Sequence, residues 1–413
     1  MTEVFVVQAA RTPIGKFGGS LKDFSAPDLG AAVVSALLDR AGVEPARVDE
    51  LIFGCGRQAG SGPNVARQVL WRAGIPQERT AYTVNMACAS SLKCVVLAAQ
   101  EIALGHADCV VAGGAESMSR LPFYLETARW GVRLGTQTLV DGMYRDGFLC
   151  PLSRLVMGET AELLADEFKI SRAQQDAFAL ESQHRAQRAI TAGRFDQEII
   201  PINLQHKVDR SGAEKNAAPG KPSDKPGAKP GESFTRDEHP RFDARPEDLE
   251  RLSPVFSKNG TITAGNSSGI TDGAAAVLLM SKEAMKRSGL DPLARFVDAT
   301  SVGVDPRRMG LGPVPAVRQL LDRLKMKLDE FDLVELNEAF AAQVLACDRE
   351  LRFDHQRLNV NGGAIALGHP IGATGARIVV TLLQEMQKRG ARRGLATLCV
   401  SGGLGMAAAF ERP

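Results

Sequence analysis

Residues 37–54, LLDRAGVEPARVDELIFG, return as residues 320–337, LLDRLKMKLDEFDLVELN. Each copy opens on Leu-Leu-Asp-Arg and carries an Asp at the same later place, Asp49 and Asp332. Each Asp heads a short apolar run, DELIFG and DLVELN, the pattern of a buried strand. The likeness continues downstream, where Val95-Val96 with Gln100-Glu101 matches Val379-Val380 with Gln384-Glu385. The offset is 283 residues at the first landmark (37 to 320) and 284 at the second (95 to 379). A strand-like run then reaches Gly-Gly in both parts, at Gly113-Gly114 and at Gly402-Gly403, slightly later in the second copy. Landmarks in order and nearly in register predict two copies of one unit in which helices and strands alternate, a layered α/β fold.

The whole chain of 413 residues has room for two or three domains at roughly 150 residues each. With 44% hydrophobic and 24% charged residues it has a globular composition. A formal charge of +2 leaves no basic excess for a nucleic-acid partner, and none is expected. The longest strictly apolar run, Ala274 to Met280, is too short to span a bilayer. The opening MTEVFVVQAARTP has Glu3 early and reads as a strand rather than a signal peptide, so a cytoplasmic location is expected. The cysteines at 55, 88, 94, 109, 150, 347 and 399 form no C-x-x-C. Free thiols in a reducing compartment are expected, with neither a disulfide framework nor a structural metal.

Between the copies, Leu155 to Gly193 reads as helices. Ser171 with Gln174 makes a capping box and Gly193 a stop. Residues 211–232, SGAEKNAAPGKPSDKPGAKPGE, repeat Lys-Pro at 221, 225 and 229 and hold almost nothing apolar. An exposed, mobile loop is expected there. Its lysines serve solvation or, alternatively, draw in an anionic ligand.

Cys88 lies in NMACASSLKCVVLAAQEIALG, residues 85–105, whose apolar residues take helical spacing from Ser90 onward. That places Cys88 at a helix N-terminus, where unpaired N–H groups and the macrodipole favour a thiolate. A buried cysteine acting as a small hydrophobe is the alternative. At the 284 offset His369 corresponds to Asn85 and Gly372 to Cys88, so His369 lies on the turn that opens the matching helix. Packed about a pseudo-twofold axis, the two turns face each other, and His369 becomes a candidate activating base. Glycines at 362, 363, 368, 372 and 375 allow close backbone approach there. Cys399 ends the run LATLCV, and alone it reads as core. Asn337 and Glu338 follow the strand-like DLVEL, where α/β proteins place ligand contacts, or Asn337 simply caps a helix. GCGRQA, residues 54–59, fits G-x-G-x-x-A, but the acidic residue that a dinucleotide site needs is missing from a second strand.

Taken together, these blocks resemble the thiolase family over almost the whole chain. They are NMACASSLK around Cys88, NEAFAAQ from Asn337, NGGAIALGHPIGATGAR around His369 and CVSGGLGMA from Cys399. VVQAARTPIGKFGG (6–19), ITAGNSSGITDGAAA (262–276) and MGLGPVPA (309–316) support them. The resemblance implies a thiolase-like, five-layered α-β-α-β-α fold with two similar halves and an inserted loop domain. Carried over, the first half is 1–118 plus 270–291, the loop domain 119–269 with 211–232 as a surface insertion, and the second half 292–413.

The resemblance further implies acyl transfer between CoA thioesters: 3-ketoacyl-CoA plus CoA giving acyl-CoA plus acetyl-CoA, or the reverse Claisen condensation. Cys88 is then the acylated nucleophile, His369 the acceptor of its proton and Cys399 the second acid/base. His369 and a water held by Asn337 serve the enolate, and the backbone N–H groups of Cys88 and Ser401 the tetrahedral adduct. Ser268 matches a pantetheine contact, and Met157, Met309 and Phe340 match apolar residues near the acyl end. CoA and acyl-CoA are substrates, no cofactor is expected, and a homodimer or homotetramer is. Short-chain biosynthetic members carry His where this chain has Val156, which leaves acyl length open. Ser401 stands where Gly is common, a change that keeps the backbone donor. Two alternatives stay beside this one: a ketoacyl-synthase-like condensing enzyme, against which the second cysteine speaks, and a non-catalytic CoA- or lipid-binding protein of thiolase shape.

Overall fold

The computed structural model describes residues 2–204 and 233–413, so the insertion at 211–232 lies outside the described residues. The first part of the chain builds β1 (Val4–Arg11), α1 (Ala26–Ala41), β2 (Glu50–Gly54), α2 (Val65–Arg72), β3 (Thr80–Val84), α3 (Ser90–Ala103) and β4 (Cys109–Ser117). Two long helices follow, α4 (Met157–Glu167) and α5 (Arg172–Thr191), then β5 (Thr271–Ser281). The last part holds β6 (Ala294–Gly303), α6 (Pro313–Leu324), β7 (Leu333–Leu336), α7 (Ala341–Leu351), α8 (Ile371–Arg389), β8 (Arg393–Val400) and β9 (Leu404–Glu411).

Local chemistry accounts for several boundaries. Ser25 and Asp28 exchange hydrogen bonds in a capping box at the start of α1, and Gly42 ends that helix at φ 63°. The expected box of Ser171 and Gln174 opens α5, and Gly193 follows it at φ 63°.

One sheet runs β7-β8-β9-β6-β1-β5-β4-β2-β3. Its two parts meet where β1 and β6 pair through Phe5 with Arg295 and Val6 with Ala294. The repeat is visible in register. Leu51 of β2 lies opposite Val111 of β4 in a parallel ladder, and Val334 of β7 opposite Leu395 of β8 in another. These pairs are related by the offsets seen in the sequence, 283 (51 to 334) and 284 (111 to 395).

Strand periodicity sets the layers. On β5, Ala274, Ala276, Leu278 and Met280 face one core with α1 and α2, while Ala275, Val277 and Leu279 face another with α3 and α8. On β9, Met406, Ala408 and Phe410 join that central core, and Ala407 and Ala409 face α6 and α7. The order is therefore helices, sheet, α3 with α8, sheet, helices, five layers. Because α8 lies in the middle, every residue from Ile371 to Met386 is buried.

One landmark of the repeat is corrected. Gly113 and Gly114 sit inside β4, not at its end, whereas Gly402 and Gly403 form the turn between β8 and β9 at φ 89° and 86°. The first pair is required by close approach. A Cβ on Gly113 would strike the Ala275 carbonyl, and one on Gly114 the Gly372 carbonyl.

The contact between α3 and α8 is equally tight. Ala376 N–H donates to Ser91 Oγ at 2.8 Å, and a Cβ on Gly375 would collide with the backbone nitrogen of Leu92. In a free helix Gly→Ala is favourable by roughly 0.5–1 kcal/mol. Here overpacking opposes it, at about 1–3 kcal/mol. Gly375→Ala is therefore expected to lower stability in urea unfolding. Unchanged or raised stability would mean that the two helices have room to part.

Candidate active site

Cys88 lies in a one-turn 3-10 segment, Ala87–Ala89, that runs straight into α3. Asn85 Oδ1 accepts the Ala87 N–H at 3.0 Å. Ser90 Oγ accepts from Met86 N–H at 2.9 Å and donates to the Ala87 carbonyl at 2.6 Å. Held between these side chains, Ala87 takes φ 44°, a left-handed conformation that costs about 1–3 kcal/mol for a residue with a Cβ. The strained residue directly precedes the thiol and aims it out of the turn.

His369 occupies the equivalent place ahead of α8. Its N–H donates to the Gly269 carbonyl at 3.0 Å, and its Nδ1 lies 2.6 Å from Thr374 Oγ1. The Thr374 hydroxyl donates to the Pro370 carbonyl at 3.0 Å, which uses its one proton. Nδ1–H is then the donor to Thr374, and Nε2 keeps its lone pair. Burial, with the charges of Arg377 and Arg57 added, takes the imidazole down to about 3, so it is neutral and able to accept a proton.

A cavity of about 510 Å³ brings the two turns together. Cys88, His369, Cys399, Ser401, Ser268, Met157, Met309 and Phe340 all lie on its wall, as the sequence predicts. Phe148, Phe256, Ile270 and Ile371 add apolar surface, and Lys16, Arg57, His239 and Arg241 add basic groups. Asn337 differs: it is buried beside the wall formed by Ala339 and Phe340 rather than on it. It does not cap α7, whose N-cap is Phe340. Its N–H donates to the Thr397 carbonyl at 3.0 Å, while Oδ1 and Nδ2 are buried without a protein partner.

The thiols are held protonated. Burial pushes the half-buried Cys88 above its usual value, although Arg57 and the N–H groups of Ser401 and of Cys88 itself pull it down. Burial thus opposes the thiolate that a helix N-terminus favours. Cys399, buried on β8, is pushed further up by burial and then by the neighbouring Cys88 and Cys347. The two N–H groups that lower the Cys88 thiol come from opposite halves of the chain.

Sequence reasoning missed the support behind Cys88. Glu116, fully buried at the end of β4, accepts from Gly56 N–H at 3.0 Å, Arg57 N–H at 3.0 Å and Gly372 N–H at 2.7 Å. It ties the loop after β2 to the start of α8. Arg57 belongs to GCGRQA, so the segment dismissed as a dinucleotide motif supplies a wall residue instead.

The chain is similar to known proteins over its whole length. The family described as "Thiolase, N-terminal domain" matches residues 4–283, and "Thiolase, C-terminal domain" matches 290–412. The chain is 48% identical to the acetyl-CoA acetyltransferase of Syntrophomonas wolfei subsp. wolfei, over 99% of each protein. It is 49% identical to that of Chromobacterium violaceum over 100% of each. The crystal structure of human mitochondrial 3-ketoacyl-CoA thiolase in complex with CoA superposes with a TM-score of 0.91 at 40% identity, covering 100% of this chain and 98% of that one. Two matched domains, full-length relatives and a shared fold make this chain a member of the thiolase family.

Proposed function

We propose that this chain catalyses reversible acyl transfer between CoA thioesters through an acyl-Cys88 intermediate. The observation that carries the reading is the convergence of Cys88, His369 and Cys399 on one cavity. In cleavage, the Cys88 thiol passes its proton to His369 Nε2 as sulfur attacks the 3-keto carbon of the substrate. The N–H groups of Cys88 and Ser401 are the donors for the tetrahedral oxyanion. The bond between C2 and C3 breaks, and Cys399 gives its proton to the carbanion of acetyl-CoA. Burial that keeps the Cys399 thiol protonated suits this acid role. The thiol of a second CoA then attacks acyl-Cys88 and releases acyl-CoA, and its proton, together with the one held on His369, returns Cys88 and Cys399 to their thiol forms and His369 to its neutral form. The unpartnered amide of Asn337 suits the holding of a water beside the enolate oxygen. Ser268 on the wall is the pantetheine contact, and Lys16 and Arg241 offer charge to the phosphates of CoA.

The same reading divides the chain at the boundaries expected from sequence: 1–118 plus 270–291, 119–269 and 292–413. It is supported by β5, which returns to pair between β1 and β4. Exposed apolar side chains within 119–269, Trp130 at 87% and Leu134 at 94%, support a homodimer or homotetramer. A cytoplasmic location is supported by the free cysteines, and no helix among the described residues is long and apolar enough to cross a membrane.

We further infer that acyl chains longer than acetyl are accepted, as β-oxidation would require. Met157, Met309, Phe148, Phe256 and Phe340 give the cavity an extended apolar wall, and Val156 stands where short-chain members carry His. Thiolysis rates across straight-chain 3-ketoacyl-CoA esters of increasing length test this. Turnover of several lengths is expected. Activity confined to acetoacetyl-CoA would overturn the chain-length reading and leave the reaction class standing. No thiolysis of any ester would overturn both.

A further inference from the structure

Arg57 stands on the cavity wall with Cys88, on the loop that leaves β2, and is only 7% exposed. Its guanidinium meets neutral oxygens. Nη2 donates to the Gly147 carbonyl at 2.8 Å and Nη1 to the Gly56 carbonyl at 3.3 Å. Nε is buried with no partner. The nearby Glu116 carboxylate is occupied by the backbone N–H groups of Gly56, Arg57 and Gly372. The site also leaves room for this side chain: a Cβ on Gly147 would come within 2.9 Å of Arg57 Nε.

A buried cation without a bound carboxylate is costly and is kept where its field acts on something. The groups around the Cys88 sulfur are Arg57 on the loop after β2, Glu116 on β4, His369 ahead of α8 and Cys399 on β8. Of these, Arg57 favours the thiolate of Cys88 against burial, whereas Glu116 works the other way. We propose that Arg57 is an electrostatic positioning residue for Cys88, a buried and incompletely paired cation that favours the thiolate during attack and when the acyl group leaves. This rests on Cys88 being the nucleophile, but its test does not require turnover.

The test is the rate of Cys88 alkylation by iodoacetamide against pH, located by peptide mass. It compares wild type, Arg57→Gln and Arg57→Lys, with Tm as a check on folding. An opposite charge within several Å moves a titration by roughly 1–3 units, so loss of the cation is expected to shift the Arg57→Gln profile to higher pH. At neutral pH alkylation then slows about tenfold or more, while Arg57→Lys stays within about threefold of wild type. A wild-type profile in Arg57→Gln would overturn the proposal. So would an equal displacement in Arg57→Lys, since that would assign the effect to shape rather than charge. Should Arg57→Gln not fold, Arg57→Lys decides alone: a near-normal profile supports the proposal, and a tenfold loss contradicts it. Alkylation that misses Cys88 altogether would count against the nucleophile instead.

Discussion

Cys88→Ser is expected to abolish turnover in both directions while the protein stays folded. The side chain sits at the tip of a turn already set by Asn85 and Ser90, neither of which bonds to the thiol. Cys88 packs at the edge of the central core, and a serine there is nearly the same size. Chemically the change is large. A serine hydroxyl is far less acidic than a thiol and a poorer nucleophile, so passing its proton to His369 during attack costs much more. The neutral pair that serves a thiol therefore fails an alcohol. Circular dichroism and Tm near wild type, with no detectable thiolysis or condensation, are the expected pair of results. A folded variant with near-normal rates would remove Cys88 from the mechanism.

Cys399→Ala is expected to separate two steps that wild type runs together. Acylation of Cys88 needs His369 and the N–H donors of Cys88 and Ser401, none of which depends on the Cys399 side chain. Transfer of the acetyl group from acetyl-CoA to Cys88 should therefore survive. Exchange of the α-protons of acetyl-CoA with solvent requires the second acid/base and should fall on the order of 10²-fold or more. Deuterium uptake into acetyl-CoA, followed by mass spectrometry beside acylation of the enzyme, reads both steps. Retained exchange would assign the base to another group. Loss of both steps would make Cys399 structural, which its burial among Met309, Phe340 and Ala342 makes a fair test.

The fold was legible where local pattern and the repeat carried it. Offsets of 283 and 284 in LLDR and VV reappear as the register of β2 on β4 and of β7 on β8. The Ser171 box and the Gly193 stop did the same for α5. Gly113-Gly114 was misread because a glycine pair looks alike whether it turns the chain or lets another backbone approach. The partner, Gly372, lies far along the chain. In the site, the residues carried by the family blocks came together on one wall, but the left-handed Ala87 has no signature in its own side chain. Glu116 and Arg57 also escaped. Their role depends on three segments, the loop after β2, the end of β4 and the start of α8, meeting around one carboxylate. No local periodicity encodes that meeting.

The central claim is covalent: the acyl group passes through the sulfur of Cys88. Wild-type protein mixed with acetyl-CoA in the absence of acceptor CoA, quenched in acid and digested, tests it directly. The expected result is one acetyl group per chain, on the peptide that contains Cys88, discharged when CoA is added. An unmodified chain, or an acetyl group elsewhere that CoA cannot remove, in protein that still turns over, would contradict it.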